Sequence, residues 1–146
     1  MTIADEITPA NSTPIWLKAA AALGVVWYAF GLLQMCLGFT LDTASAVELG
    51  AITSDHREAI DATPMIIWLS FALASGAGLV GAVLLFAGSR NAFKIFTLSL
   101  ASAAVYYIWV YGLSGTGSAR PSEEAGIAVF VVAVTLGFTW LATRRA

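Results

Sequence analysis

Four long apolar stretches dominate the pattern of hydrophobic and polar positions, at roughly residues 19–41, 65–89, 95–119 and 125–143. None of the four contains an acidic or basic residue. About 20 helical residues are needed to cross the hydrocarbon core of a bilayer, so each stretch predicts a transmembrane helix. The chain is therefore predicted to be an all-α integral membrane protein, a bundle of four transmembrane helices.

The polar residues between the stretches set the predicted boundaries of a single membrane domain. Pro64 opens the second helix, where its missing N–H costs nothing. The spacing of Asp55 and Glu58 is typical of a capping box and predicts a short amphipathic helix in the first loop. The predicted segments are a tail (1–14), transmembrane helices at 15–41, 64–89, 92–114 and 125–143, outer loops at 42–63 and 115–124, and a tail (144–146).

Composition and charge support this interpretation and predict an orientation. Only 11% of the 146 residues are charged, against about 25% in a typical soluble domain. Basic residues are more frequent on the side of the two termini, which predicts a multi-pass protein of a bacterial cytoplasmic (inner) membrane, with both termini inside. That side has Lys18, Arg90, Lys94, Arg144 and Arg145, whereas the other has Arg57 and Arg120 together with seven acidic residues.

Several kinds of chemistry are disfavoured by the residues that the chain lacks. The net charge of −2, without a Lys/Arg cluster, argues against a nucleic-acid partner. Cys36 is the only cysteine and His56 the only histidine, so we expect no intramolecular disulfide, no His/Cys zinc site and no metal or cofactor. Without an ionisable residue inside a span, a proton-coupled pump is not expected, and neither is an enzyme.

Four polar side chains are predicted to lie at a similar depth in the membrane. A rise of about 1.5 Å per residue brings Gln34, Ser75, Tyr106 and Tyr107 into one layer of the outer half. We expect them to form hydrogen bonds between helices, with Gln34 turned toward protein; the alternative is that they face a ligand cavity. His56 lies among charged neighbours, and we expect it on a solvated turn at the membrane surface.

Glycines at helical spacing predict where the helices approach one another. Gly24, Gly31 and Gly38 recur every seven residues in the first helix. Gly76, Gly78 and Gly81 follow one another in the second helix. Small residues at such positions let helices pack closely. If these faces are used within the bundle, a self-contained function is favoured, and if one faces lipid, an oligomer or a partner is predicted.

A resemblance to a known group adds an expected function. The residues that carry it are Trp27 and Gly31, Pro64 followed by Trp68, the three glycines of the second helix, Leu84-Leu85, Arg90-Asn91-Ala92 and the segment 96–100. Across roughly residues 20–112 the chain resembles a group of small four-helix bacterial membrane proteins often automatically named "sugar transporter". It has a looser likeness to DoxX-like proteins.

Two functions of different classes follow from these observations. The resemblance implies a small-molecule, sugar-like carrier in the lipid bilayer, and the small size of the bundle favours a homo-oligomer. The alternative is an accessory or assembly subunit whose small-residue faces dock against a larger membrane complex.

Overall fold

The computed structural model describes residues 12–40 and 42–144, and all regular elements within these ranges are helices. A π-helical segment (Trp109–Leu113) directly follows α5, and a 3₁₀ turn (Gly117–Ala119) precedes α6. The helices are α1 (Ile15–Thr40), α2 (Thr43–Glu48), α3 (Ser54–Asp61), α4 (Met65–Phe86), α5 (Ala92–Ile108) and α6 (Ser122–Thr143). The predicted tail up to residue 11, the predicted helix end at Leu41, and Arg145 lie outside the described residues.

The predictions of an all-helical fold and of four helices with membrane-spanning length are confirmed. The four segments that are long and apolar enough to cross a membrane are Ile15–Thr40, Met65–Phe86, Ala92–Leu113 and Ser122–Thr143. They leave large apolar side chains exposed, among them Leu33, Leu37, Val129 and Phe130. Such a surface is unfavourable in water and is what a lipid-facing helix requires, which supports a multi-pass membrane protein.

Prolines and glycines mark several of the helix ends. Pro64 and Pro121 precede α4 and α6 in an extended conformation. Gly88 and Gly115 have positive φ values of 74° and 69° beyond α4 and the π-helical segment, a conformation that glycine adopts without a steric penalty. Since α6 begins at Ser122, Glu123 and Glu124 lie in its first turn and complement the helix dipole.

The loop between α1 and α4 contains two short helices, where the sequence predicts one. Asp42 caps α2: it accepts hydrogen bonds from the Ser45 hydroxyl (2.8 Å) and the Ala44 backbone N–H (3.1 Å), which hold the pKa of Asp42 below its ordinary 3.8. Thr53 caps α3 by accepting a hydrogen bond from the backbone N–H of His56 (3.1 Å). The prediction that Asp55 opens this helix is therefore wrong, because Thr53 holds the capping position.

The bundle has two ends, which differ in how tightly they are packed. We call the end with residues 12–14, the α4–α5 link and residue 144 the terminal end, and the end with α2, α3 and the 3₁₀ turn the capped end. The main buried cluster lies toward the terminal end and consists of Leu17, Ala21, Tyr28, Ala82, Leu85, Ala92, Phe96 and Ala142. A smaller cluster of Ile67, Tyr106 and Val110 joins α4 and the α5 end near the capped end.

Candidate functional site

A cleft of about 500 Å³ lies between the four long helices, on the capped side of the main buried cluster. Helix α1 packs against α4, α4 against α5, and α5 against α6. Helices α1 and α6 meet through side chains: Trp27 and Phe130 make an edge-to-face contact, with ring centroids 5.3 Å apart. The volume is within the range of small-molecule sites, about 300–1,000 Å³.

The walls of the cleft differ in exposure, and this difference locates its opening. Its back, on α4 and α5, consists of buried or half-buried residues: Phe71, Ala74, Ser75, Ser99, Ala103 and Tyr107. Its rims, on α1 and α6, include exposed residues: Phe30, Gln34, Glu123, Gly126, Ile127 and Phe130. The cleft therefore opens sideways, between α1 and α6.

Three hydroxyl groups of the cleft are bonded within the protein and fix its inner wall. The Tyr28 hydroxyl donates to Thr135 Oγ1 (3.1 Å), and Thr135 Oγ1 donates to the Val131 carbonyl (2.9 Å). Ser99 Oγ donates to the Ala74 carbonyl (2.6 Å), which ties α5 to α4. Ser99 and Thr135, which take part in these hydrogen bonds, are fully buried, each with 1% of its surface exposed. The three hydroxyl groups therefore use their donors within the protein.

Other polar side chains of the cleft make no hydrogen bond to the described part of the chain. They are Gln34 on α1, Ser75 on α4, Tyr107 on α5 and Glu123 on α6. Three of the four residues predicted to share a layer are thus brought together around one space. The expectation that they bond from helix to helix is wrong for these three: among the described residues, Tyr28 and Ser99 make the hydrogen bonds between the long helices instead. Gln34 is exposed on the rim of the cleft rather than turned toward protein.

Tyr106, the fourth predicted residue, lies outside the lining of the cleft. Its ring packs against Phe71 and Tyr107, with centroids 5.0 Å and 5.1 Å away, and it is 7% exposed. Adjacent residues of a helix point about 100° apart, and here Tyr106 packs in the cluster with Ile67 and Val110 while Tyr107 lines the cleft.

The predicted packing glycines have different surroundings. A Cβ atom at Gly24 would lie 2.7 Å from Phe138 Cζ, one at Gly78 would overlap the Tyr28 ring, and one at Gly81 would lie 3.1 Å from Phe96. At Gly31 the nearest atom would be Ser75 Oγ at 3.5 Å, across the cleft wall, whereas at Gly38 and Gly76 the described residues leave the space open. Close approach is therefore concentrated toward the terminal end and the middle of the bundle.

A second polar cluster lies at the capped end, beside the cleft. The Arg120 side chain is 2% exposed, and its Nη1 donates to Glu124 Oε1 (2.6 Å). His56 Nε2 lies 3.3 Å from Glu124 Oε2, so α3 is held against α6. The expectation that His56 is solvated is wrong: its side chain is only 14% exposed, and its partner comes from another helix.

Sequence reasoning missed most of the residues that shape these two sites. The aromatic lining, which includes Trp27, Phe71 and Phe130, has no local pattern that separates it from lipid-facing aromatics. Glu123 is an acidic residue at the edge of an apolar span, a position that could have indicated a site. Its favourable interaction with the helix dipole explained an acidic residue there equally well. Arg120 lies in a polar stretch before Pro121, where exposure is the ordinary expectation.

Comparison with known proteins gives no match, so the function has to be inferred from the structure alone. No family model matches the chain, and neither the curated proteins nor the solved structures contain a match to it.

Proposed function

We propose that the protein is a small carrier of a bacterial inner membrane, with both termini in the cytoplasm, and that it holds one small amphipathic molecule in the cleft. The orientation is supported by the five basic residues on the side of the termini, against two on the other. In this orientation the capped end faces outward, and the cargo enters from the bilayer between α1 and α6.

One observation carries this proposal: a largely apolar cleft, whose other hydroxyl groups are bonded within the protein, contains Gln34, Ser75, Tyr107 and Glu123 without hydrogen bonds to the described chain. A polar group in an apolar environment costs free energy unless it is bonded. Side chains of this kind normally find partners within a membrane bundle, as Tyr28 and Ser99 do. A bound molecule with a small polar end would supply those partners, while its apolar part would contact the rings.

The chemistry of the lining favours an amphipathic cargo over the sugar-like cargo that the family resemblance implies. A free sugar presents hydroxyl groups over most of its surface, and each one needs a partner when it leaves water. Four side chains at the rim and the back are too few for this, since the remaining lining is largely aliphatic and aromatic. We therefore propose a largely apolar molecule of drug-like size.

The alternative function, an accessory subunit, has one feature in its favour. The described residues leave open space at Gly38 and Gly76 where a side chain would begin, so another helix has room to approach them. The deepest glycine contacts, at Gly24 and Gly78, are used inside the bundle, which favours a self-contained function. The cleft also lies within one chain, so a homo-oligomer is not required for binding.

Filling the cleft with a larger side chain tests the carrier proposal. Gly126 lines the cleft and has open space around it, so Gly126→Trp is expected to block the cleft without disturbing the helix packing. The assay is photolabelling of the protein in nanodiscs by a neutral decyl alcohol with a diazirine on its chain. We expect labels on the rims of the cleft in the wild type and at least a tenfold loss of them in the variant.

Gly137→Trp is the matched control for this experiment. Gly137 is on the same helix, has the same open surroundings and does not line the cleft. Its variant should label like the wild type. Equal labelling of all three proteins, or labels spread evenly over the lipid-facing surface, would refute a binding cleft.

Gln34→Leu separates binding from folding. Because Gln34 makes no hydrogen bond to the described chain and is exposed on the rim, its replacement should change the free energy of unfolding by less than about 0.5 kcal/mol. The same change removes a polar partner of the cargo, so half-maximal photolabelling should need about 3–10 times more probe. A large loss of stability would show instead that Gln34 has a structural role.

A further inference from the structure

The lining of the cleft is unusually rich in aromatic rings. Six aromatic side chains from all four long helices contribute to it: Trp27, Tyr28, Phe30, Phe71, Tyr107 and Phe130. The faces of aromatic rings carry partial negative charge and attract organic cations, and clusters of such rings are used to recognise quaternary ammonium groups.

Of the described residues that line the cleft, Glu123 alone carries a charge. Its carboxylate is exposed at the rim and has no ion pair or hydrogen bond within the described chain. The neighbouring Glu124 is engaged by Arg120 and His56. The charge of Glu123 therefore remains uncompensated at the entrance, and no described basic side chain lines the cleft to balance it.

The surroundings of the entrance are negative as well. The capped end has seven carboxylates and two guanidinium groups, a net charge of −5 with His56 neutral. Both guanidinium groups already have acidic partners: Arg57 Nε lies 3.4 Å from Asp61 Oδ2, and Arg120 pairs with Glu124. A field of one sign around a cleft raises the local concentration of molecules with the opposite charge.

We propose that the molecule held in the cleft is an amphipathic organic cation, with its ammonium-type head between Glu123 and the rings and its apolar part toward Ala103 and Val131. This inference rests on the proposed function and specifies its cargo. Neutral and anionic amphiphiles of the same length would fit the apolar part but would gain nothing from Glu123. The volume of about 500 Å³ suits a drug-sized molecule, so we assign a small cation that partitions into the membrane.

Competition for photolabelling tests the charge preference. The protein is placed in nanodiscs of phosphatidylethanolamine and phosphatidylglycerol and labelled with the neutral diazirine probe, and the labelling is competed with decyltrimethylammonium, decanol or decanoate. In Glu123→Gln, the half-displacing concentration of decyltrimethylammonium is expected to rise about three- to fivefold, because the ion pair with an exposed carboxylate is lost, while that of decanol stays the same. Comparing variants in identical nanodiscs removes the different partitioning of the three competitors.

Glu48→Gln is the control for general surface charge, because Glu48 is an exposed acid of the same end on α2 and lies outside the cleft. In Glu48→Gln, the half-displacing concentration of decyltrimethylammonium should equal that of the wild type. An unchanged value in Glu123→Gln, or an equal rise in Glu48→Gln, would overturn the inference. If Gly126→Trp abolishes labelling but the cation loses no affinity in Glu123→Gln, the cleft binds a cargo of another class. If the labels are not concentrated in the cleft and Gly126→Trp does not reduce them, the proposed function itself fails.

Discussion

Replacing Glu124 by glutamine is expected to lower the free energy of unfolding by about 3 kcal/mol. Glu124 provides the counter-charge of Arg120, whose side chain is 2% exposed and whose Nε and Nη2 have no hydrogen-bond partner among the described residues. Removing one member of a buried ion pair costs about 3–5 kcal/mol, because the other charge remains buried. Glu124 is 33% exposed, so we expect the lower end of this range.

The adjacent residue provides the control for this prediction. Glu123→Gln makes the same chemical change one position earlier, on an exposed carboxylate without an ion pair, and should alter stability by less than about 0.5 kcal/mol. Steric trapping in bicelles would measure both variants. Equal losses would contradict the assignment of Arg120 as a buried, paired charge. The double variant Arg120→Met/Glu124→Leu should recover most of the loss, because it leaves no charge unpaired.

Replacing Gly78 by alanine is expected to cost about 3 kcal/mol of stability. A Cβ atom at this position would overlap the ring of Tyr28, which is 4% exposed and is held in place by its hydrogen bond to Thr135. Overfilling a packed core typically costs 1–3 kcal/mol. Displacing the ring also breaks the hydrogen bond to Thr135, worth about 1 kcal/mol.

Gly76→Ala isolates the role of this contact. Gly76 is two residues away in the same helix, and nothing described lies within 4 Å of where its Cβ would stand. The general preference of helices for alanine over glycine, up to about 1 kcal/mol, acts equally at both positions. Gly76→Ala should therefore be neutral or slightly stabilising in the same assay. If both variants lose stability equally, close packing of α1 on α4 at Gly78 is not what stabilises the bundle.

The long helices and part of the cleft could be predicted from the sequence for simple physical reasons. Hydrocarbon thickness sets the minimum length of a span, so uncharged stretches identify α1, α4, the α5 segment and α6 directly. The constant rise of a helix then gives each residue a depth, and three of the residues assigned the same depth, Gln34, Ser75 and Tyr107, line one cleft.

The direction in which a side chain points around its helix axis was harder to predict than its depth in the membrane. Tyr106 has the same depth as Tyr107 yet packs outside the lining of the cleft, because its ring lies against Phe71 and in the cluster with Ile67 and Val110. Gly24 and Gly38 share a heptad position, but Phe138 approaches only Gly24, since the packing of α1 against its neighbours changes along its length. Such differences depend on the side chains of other helices, which no local pattern contains.

The choice of ion-pair partners accounts for the rest of what the sequence did not predict. Arg120 is buried, although it lies between a 3₁₀ turn and a proline, because Glu124, four residues further on, compensates its charge. His56 is covered because its partner is 68 residues away on α6 rather than among the acids beside it. The charges around each residue were visible in the sequence, but the pairs that form were not.

Native mass spectrometry of the protein, purified from the membrane of the cells that make it, tests the central claim most directly. We expect one non-covalently bound small molecule per wild-type chain, retained in Gly137→Trp and absent from Gly126→Trp. A wild-type chain without a ligand, or a ligand bound equally to both variants, would contradict a binding cleft. Stoichiometric association with a larger membrane complex, with the cleft empty, would establish the accessory subunit instead.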